Sequence, residues 1–567
     1  MFDNRLRVNQ PTPAIVAQSA VRRLPRWALL LFCAAYVLPG FIGRGPWKNA
    51  DMMAFGYMYE LAQGRAAWLA PTLLGQPPEF DALLPYWLGA WAMQLAPGWI
   101  DPDFAARLPF IGLLVLTLVA TWYGVYYLAR TPGAQPVPFA FGGEARPTDY
   151  ARAVADAGLL ALVACLGLMQ LSHETTPALA QLGFTALAFY GLAALPYRLV
   201  VPSLAIALGL LGLTLSGAPT MAALFALGGA ALHFSDAPED ATTPARGRRG
   251  ALVVLVLAGL AAAVAEGFHA WHWRLGVPEA QAHNWRTLAK LIVWFTWPVW
   301  PLALWTAWRW RRQLNRRHVA LPIWFALVSV GTTLLAPNPD RALLLSLPAM
   351  AALAAFALPT FSRSASALID WFTLLFFSGI AIFIWVMWIA IQTGFPARPA
   401  ANVARLAPGF VPSFGLLPFV VALLATVAWV WLVRWRTSRS REAIWKSLVL
   451  PAGGTALSWL LATSLWLPVL DYARNYTTVV NGLTRRLDVT GCVEVFGLTR
   501  PQIAALRFHG GLDLQPATLP NACPWLVVAQ ELQPSLAMVL EPRQWTLVAT
   551  IKRPTDKDDN LLLYRKR

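Results

Sequence analysis

The chain has 567 residues, of which 57% are hydrophobic and only 13% are charged, and its formal net charge is +17. Soluble globular domains carry about a quarter charged residues, so this composition excludes an ordinary soluble protein. Loops that face anionic lipid explain the excess of lysine and arginine, and no nucleic-acid partner is required.

Apolar runs of about 17 to 25 residues, the length that crosses a bilayer as a helix, recur along the sequence. They predict an all-α polytopic membrane protein of about thirteen transmembrane helices, followed by a small C-terminal α/β domain. The predicted spans are 27–43, 104–129, 154–171, 174–195, 198–215, 217–234, 250–267, 287–309, 320–336, 340–359, 367–392, 413–434 and 446–470. The apolar segment 83–97 is shorter, and we expect it at the outer membrane interface.

Arginine and lysine are concentrated in alternate connections, as expected for loops on the cytoplasmic side. The densest groups lie within 22–26, 309–317 and 434–446. This pattern predicts a cytoplasmic N-terminus with an uncleaved first span. An odd number of spans then leaves the first loop, 44–103, and the C-terminus on the outer side.

Residues 471–567 alternate short β-branched runs with turn-rich pieces, a pattern that indicates strands rather than spans. We therefore expect a transmembrane domain of residues 1–470 and a separate extracytoplasmic domain of residues 471–567. Cys492 and Cys523 lie in that outer domain, where disulfides form, and we expect them to be bridged.

Polar side chains collect at the outer ends of the predicted spans, and they mix carboxylates, imidazoles and cations. Charged groups packed against apolar helix ends cost free energy unless they pair or bind something, whereas the cytoplasmic charges are mostly arginine. A functional site is therefore expected on the outer side. The residues are Asp51, Asp81, His173, Glu174, His269, His272, Arg274, His283, Arg286, Asn338, Asp340 and Arg341.

The run from Pro46 to Leu88 resembles the first periplasmic loop of bacterial GT-C glycosyltransferases, of the lipid A aminoarabinose transferase and protein O-mannosyltransferase-like superfamily. Asp51 opens a helix there, and Asp81 follows a Gly-Gln-Pro-Pro turn. Shorter matches surround Arg107, Glu174 and Arg341. The chain departs from the family where a lysine is expected to meet a phosphate, because Ala82 follows Asp81. Lys48, Arg274 and Arg341 are the candidate replacements for its charge.

The resemblance implies an inverting glycosyltransferase that moves a sugar from a polyprenyl-phosphate carrier, such as undecaprenyl phosphate, to a lipid A, glycan or protein acceptor. The reaction is placed at the periplasmic face of the bacterial inner membrane. Such chemistry needs carboxylates to receive or orient the acceptor proton and cations to stabilise the leaving phosphate. The implied catalytic residues are Asp51, Asp81 and Glu174, with Asp51 as the first choice, and the implied donor-phosphate contacts are Arg341, Arg274 and Lys48.

Each assignment has a structural alternative. Asp51 is equally suited to capping a helix, Glu174 to a favourable place in a first helical turn, and the arginines to reaching the interface along their aliphatic stems. The resemblance also implies a divalent metal held by Asp81 with His269 or His272, although histidine and tryptophan together also anchor helices at interfaces.

A different functional class is a transporter or flippase of lipid-linked sugars, or a noncatalytic relative that only binds the carrier. Transporters usually contain internal repeats and interrupted helices with charges near the bilayer midplane. In this chain the charges lie at span ends instead. The missing lysine, together with Ala54-Phe55 where the family has Arg-Tyr, favours the noncatalytic alternative.

Overall fold

The computed structural model describes residues 12–79, 81–235, 244–271, 282–336, 338–361, 363–437, 443–487, 491–517, 523–538 and 544–567. Within these residues the membrane part contains twenty α-helices. They are α1 (Arg26–Val37), α2 (Ala50–Ala62), α3 (Leu84–Leu95), α4 (Pro102–Ala129), α5 (Pro147–Ala164), α6 (Leu168–Leu171), α7 (Pro177–Ala194), α8 (Val200–Leu215), α9 (Pro219–Ser235), α10 (Pro244–Gly267), α11 (Ala282–Phe295), α12 (Val299–Arg309), α13 (Arg317–Leu335), α14 (Pro339–Leu344), α15 (Leu347–Ala357), α16 (Arg363–Thr393), α17 (Ala397–Leu406), α18 (Leu416–Thr437), α19 (Val449–Leu465) and α20 (Leu467–Arg474).

The C-terminal part adds two helices and five strands within the described residues. They are α21 (Thr477–Thr484), β1 (Val493–Phe496), α22 (Arg500–Gly510), β2 (Leu514–Pro516), β3 (Trp525–Ala529), β4 (Trp545–Arg553) and β5 (Asp556–Lys566).

Seven helices of the described chain are long and apolar enough to cross a membrane, so this is a multi-pass membrane protein. An eighth span results if Trp285–Phe295 and Val299–Arg309, which meet at 86°, are counted together. Helix is present in each of the thirteen predicted spans, but the number thirteen is not confirmed. The reason is length, since α1 has only 12 residues and α8 only 16.

Helices α4, α7 and α8 pack together in the interior of the bundle, and α7 is 83% buried. Small residues permit the close approach, as is usual between membrane helices. A Cβ added to Gly209 of α8 would lie 2.7 Å from the backbone nitrogen of Ala188 in α7. Helix α18, by contrast, is only 11% buried and presents its apolar surface outward.

The predicted first-loop helix is confirmed as α2, which begins after Asn49. Asn49 has a φ of 67°, a conformation that asparagine tolerates better than most residues. Helix α3 lies against α2 so closely that a Cβ on Gly89 would meet the sulfur of Met58 at 2.3 Å. With 12 residues, α3 is too short to span a bilayer. We call the end of the bundle that carries α2 and α3 the loop face.

The C-terminal strands form one mixed sheet in the order β2-β1-β3-β5-β4. Strand β1 is parallel to β2 and β3, whereas β5 is antiparallel to β3 and β4. The predicted Cys492–Cys523 disulfide is present. The expected small α/β unit is therefore confirmed, while its boundary at residue 471 stays a prediction.

Helix α22 attaches this sheet to the first loop by packing directly on α2. A Cβ on Gly56 would approach the Cβ of Ala504 to 2.5 Å, so the two helices are in close contact. The ring of Phe508 packs edge-on against Phe55, with 4.7 Å between centroids. The C-terminal unit thus lies on the helix that carries Asp51.

Candidate active site

Asp51 lies in the first turn of α2 and is only 1% exposed, and both of its carboxylate oxygens accept hydrogen bonds. Its Oδ2 accepts hydrogen bonds from the Arg44 guanidinium at 2.6 Å and from the backbone N–H of Trp47 at 3.1 Å. Its Oδ1 accepts from the backbone N–H and the hydroxyl of Thr175, both at 2.7 Å. Asn49 is the N-cap of α2 and no side chain caps it, so the capping alternative for Asp51 is wrong.

Arg44 connects Asp51 to two other parts of the chain. Its Nε donates to the carbonyl of Gly40, beyond the end of α1, at 2.9 Å. Its Nη2 donates to the carbonyl of His173, in the turn before α7, at 2.5 Å. With 6% exposure, this guanidinium is a buried clamp that fixes the carboxylate in place.

The electrostatic environment keeps Asp51 ionised. Burial by itself would raise the pKa of this carboxyl, but the Arg44 charge and the hydrogen bond from Thr175 more than compensate, and the pKa lies below its ordinary value. A carboxylate with a low pKa and four hydrogen bonds is a weak proton acceptor. Asp51 is therefore suited to holding charge and geometry.

Glu174 and Arg341 meet beside Asp51, as the sequence analysis requires. Glu174 Oε2 accepts from Arg341 Nη2 at 2.8 Å, and Oε1 accepts from Gln170 at 3.0 Å. Glu174 precedes the first residue of α7, Pro177, and so lies outside that span. Burial raises its pKa, and the opposing effect of Arg341 is smaller. Because Thr175 is bonded to Asp51, both acids and Arg341 belong to one cluster.

A third arginine, Arg474, enters the cluster from the end of α20. Its guanidinium carbon lies 5.1 Å from the ring centroid of Trp47, and Arg44 lies 4.7 Å from the same ring. The indole N–H of Trp47 donates to Asp471 at 3.0 Å. Burial lowers the pKa of Arg474, and Glu174 is near enough to oppose that change.

Lys48 lies at the edge of the cluster, where it forms an ion pair with Asp556 of β5. Its backbone N–H donates to the carbonyl of Arg474 at 2.7 Å. The structure therefore brings Lys48 close to the site while its ammonium contacts the C-terminal sheet. A role in phosphate binding stays a prediction.

Asp81 and His269 come together elsewhere on the loop face. Both line a cavity of about 220 Å³ between the first loop and the end of α10. Its other walls include Pro77 and Thr214, but not Asp51 or any other member of the cluster. The structure therefore places Asp81 in this cavity and not in the Asp51 cluster, and its role in catalysis stays a prediction.

The described part of the chain contains no group of three His, Cys, Asp or Glu side chains that could hold a metal ion. Asp81 and His269 are two candidate ligands, whereas catalytic zinc usually has three from the protein. His272 and Arg274 lie outside the described residues. These residues thus do not make up a metal site, and the predicted metal and Arg274 contact stay predictions.

Three site residues were not singled out by the sequence analysis: Arg44, Thr175 and Arg474. One signal was available for the arginines, since cations are few in the outer connections and these two directly follow the first and last spans. Thr175 carried no signal of its own. Its importance comes from bonding to Asp51 across 124 residues of sequence.

Two solved structures share this fold. Both are of ArnT from Cupriavidus metallidurans, one in the apo state and one bound to undecaprenyl phosphate. Each matches with a TM-score of 0.60 and 14% identity, covering 95% of this chain and 98% of that chain. ArnT is a lipid A aminoarabinose transferase with the GT-C fold, so the predicted GT-C-like fold is confirmed. No protein-family profile matches the chain, and a search of curated proteins finds no match.

Proposed function

We propose that this protein is an inverting glycosyltransferase that takes its sugar from a polyprenyl-phosphate carrier. The observation that supports it most strongly is the convergence of Asp51, Glu174 and Arg341, which come from three distant segments, in one buried cluster. The shared fold adds support, because one of the two similar ArnT structures holds undecaprenyl phosphate.

The cluster contains the groups that this reaction needs. An acceptor hydroxyl oxygen forms a bond to the anomeric carbon while the bond from that carbon to the carrier phosphate oxygen breaks. The hydroxyl proton passes to a carboxylate, and the bonding electrons remain on the phosphate, which gains a negative charge. Guanidinium groups already in place stabilise that charge as it develops.

Of the two clustered acids, Glu174 is the better proton acceptor. Its pKa is raised, which increases its proton affinity near neutral pH, and its hydrogen bonds come only from Gln170 and Arg341 among the described residues. Asp51 has four donors and a lowered pKa. We assign Asp51 to holding Arg44 and the turn at Thr175, and Glu174 to the proton.

We place the loop face on the periplasmic side of a bacterial inner membrane, with the N-terminus in the cytoplasm. The arginine-rich connections support this, because positively charged loops stay inside. The acceptor is a lipid A, glycan or protein hydroxyl or a similar nucleophile at the outer surface.

The direct test is sugar transfer by the purified protein. Lipids that copurify with it are extracted and identified by mass spectrometry, which names a carrier and its sugar. That glycolipid, or a panel of undecaprenyl-phosphate sugars, is then supplied together with a lipid A, glycan or protein acceptor, and release of undecaprenyl phosphate is measured. Wild type should release it, and Glu174→Gln should not. Arg405→Met, on the exposed helix α17, serves as the control and should match wild type.

The same assay separates the alternatives. Carrier binding without release of undecaprenyl phosphate would support a noncatalytic relative. Movement of intact glycolipid across proteoliposome membranes, without cleavage, would support a flippase. A protein that neither binds polyprenyl phosphate nor releases it would refute every carrier-dependent function.

A further inference from the structure

Arg474 is a half-buried cation whose guanidinium has no hydrogen bond or ion pair with any described residue. Its one close partner is the face of Trp47, at 5.1 Å. Within reach of the cluster, Asp471 already accepts from Gly45 and Trp47, and Glu174 already accepts from Gln170 and Arg341. The nearby carboxylates thus already accept hydrogen bonds from other donors.

Arg341, which is paired with Glu174, also has unused donors. Its Nη2 is bonded to Glu174, whereas its Nε is buried and has no partner among the described residues. The contact from Nη1 to Asp340 is long, at 4.0 Å. Donors of a guanidinium that are removed from water without an acceptor cost free energy. Two arginines with free donors therefore lie near one carboxylate, Glu174.

Trp47 and the backbone hold Arg474 in this position. The backbone carbonyl of Arg474 accepts a hydrogen bond from the N–H of Lys48 at 2.7 Å, which ties the end of α20 to the first loop. The guanidinium groups of Arg474 and Arg44 both lie over the Trp47 indole, and cation–π contacts of this kind orient a guanidinium without using its N–H donors. The donors remain available for a ligand.

We propose that Arg474 binds the phosphate of the polyprenyl carrier together with Arg341, so that the short helix α20, which follows the last membrane span, supplies a donor-binding residue. The inference rests on the proposed function and names a phosphate contact that the sequence analysis did not consider. Planar guanidinium groups bind phosphate oxygens through paired N–H donors. Two of them around one phosphate also stabilise the charge that it gains when the sugar leaves.

The test compares carrier affinity in wild type, Arg474→Met and Arg405→Met. Methionine keeps an unbranched side chain against Trp47 and removes the charge, and the α17 variant controls for loss of an outer arginine. Undecaprenyl phosphate is the probe, and undecaprenol, which lacks the phosphate, is the control ligand. We expect Arg474→Met to raise the Kd for undecaprenyl phosphate about tenfold or more. Binding of undecaprenol should not change.

Unaltered affinity of Arg474→Met for undecaprenyl phosphate would overturn the inference, and so would an equal loss for undecaprenol, which would indicate damage to tail binding. Competition by inorganic phosphate at concentrations similar to those of the lipid would show a site for free anion instead of carrier. If wild type binds no polyprenyl phosphate, the proposed function itself fails, and the two failures are thereby distinguished.

A second measurement uses the wild-type protein and so avoids any folding defect of the variant. Phenylglyoxal modifies accessible arginines, and mass spectrometry locates the products. Undecaprenyl phosphate should protect Arg474 at least as strongly as Arg341, and should leave Arg405 unprotected. Equal modification of Arg474 with and without the lipid would contradict the proposed contact.

Discussion

Replacing Asp51 with asparagine should destabilise the protein, because the change leaves the buried Arg44 guanidinium without its carboxylate. The two side chains are 1% and 2% exposed and lie 2.6 Å apart. Breaking a buried pair by removing one charge costs about 3–5 kcal/mol. Asparagine keeps one oxygen for Thr175, but its amide group then points donors toward Arg44 or the Trp47 N–H.

The size of this effect depends on pH in a defined direction. The pKa of Asp51 is lowered in the folded protein, so its contribution to stability is present above the ordinary aspartate pKa and is lost as the pH falls through the lowered value. At neutral pH the contribution is complete, and the Asp51→Asn experiment is best done there.

The assay is thermal inactivation in detergent, measured as the loss of monodisperse protein after heating. Asp149→Asn is the matched control, since Asp149 pairs with Arg23, whose side chain is 69% exposed, and an exposed pair contributes only about 0–1 kcal/mol. The double variant Asp51→Asn with Arg44→Met should recover part of the loss. An Asp51→Asn protein as stable as the control would refute a structural role for this ion pair.

Two further predictions concern the proton acceptor and the contact between the C-terminal unit and the first loop. Glu174→Gln should lower sugar transfer by about 10²–10⁴-fold. Because burial raises the pKa of Glu174, wild-type activity should fall on acidification at a pH above the ordinary glutamate range. A wild-type rate that stays constant down to the ordinary range would contradict this. Gly56→Ala should lower the free energy of unfolding by about 1–3 kcal/mol, since the new Cβ would meet Ala504 at 2.5 Å. Gly112→Ala in α4, where nothing lies within 4 Å of the new Cβ, should be neutral or stabilising. Equal stability of the two variants would argue against tight α2–α22 packing.

Local patterns in the sequence predicted the parts of this structure that local physics decides. The first-loop helix follows from a polar start and an apolar run, and the outer disulfide follows from two cysteines placed beyond the last span. The number of membrane-crossing helices did not follow as well. Hydrophobicity marks an interval such as 287–309 without revealing that the helix within it bends by 86°.

The sequence predicted the charged residues of the candidate site but not which residues they pair with. Asp51, Glu174 and Arg341 stand out because acids and cations are unusual at the span ends that are predicted to face outward. Arg44 and Arg474 belong to the same class of residue, yet only the fold shows that one is bonded to Asp51 and the other stacked on Trp47. Such pairings join positions far apart in sequence, and a single sequence contains no record of them.

The contacts of residues 45–48 determine when this part of the site can assemble during synthesis. Gly45 and Trp47 bond to Asp471, and Lys48 pairs with Asp556, across separations of 424 to 508 residues. These contacts can therefore form only after Asp471 and Asp556 have been synthesised. A translation product truncated before Asp471 lacks these partners, so residues 45–48 reach the arrangement described here only near the end of synthesis.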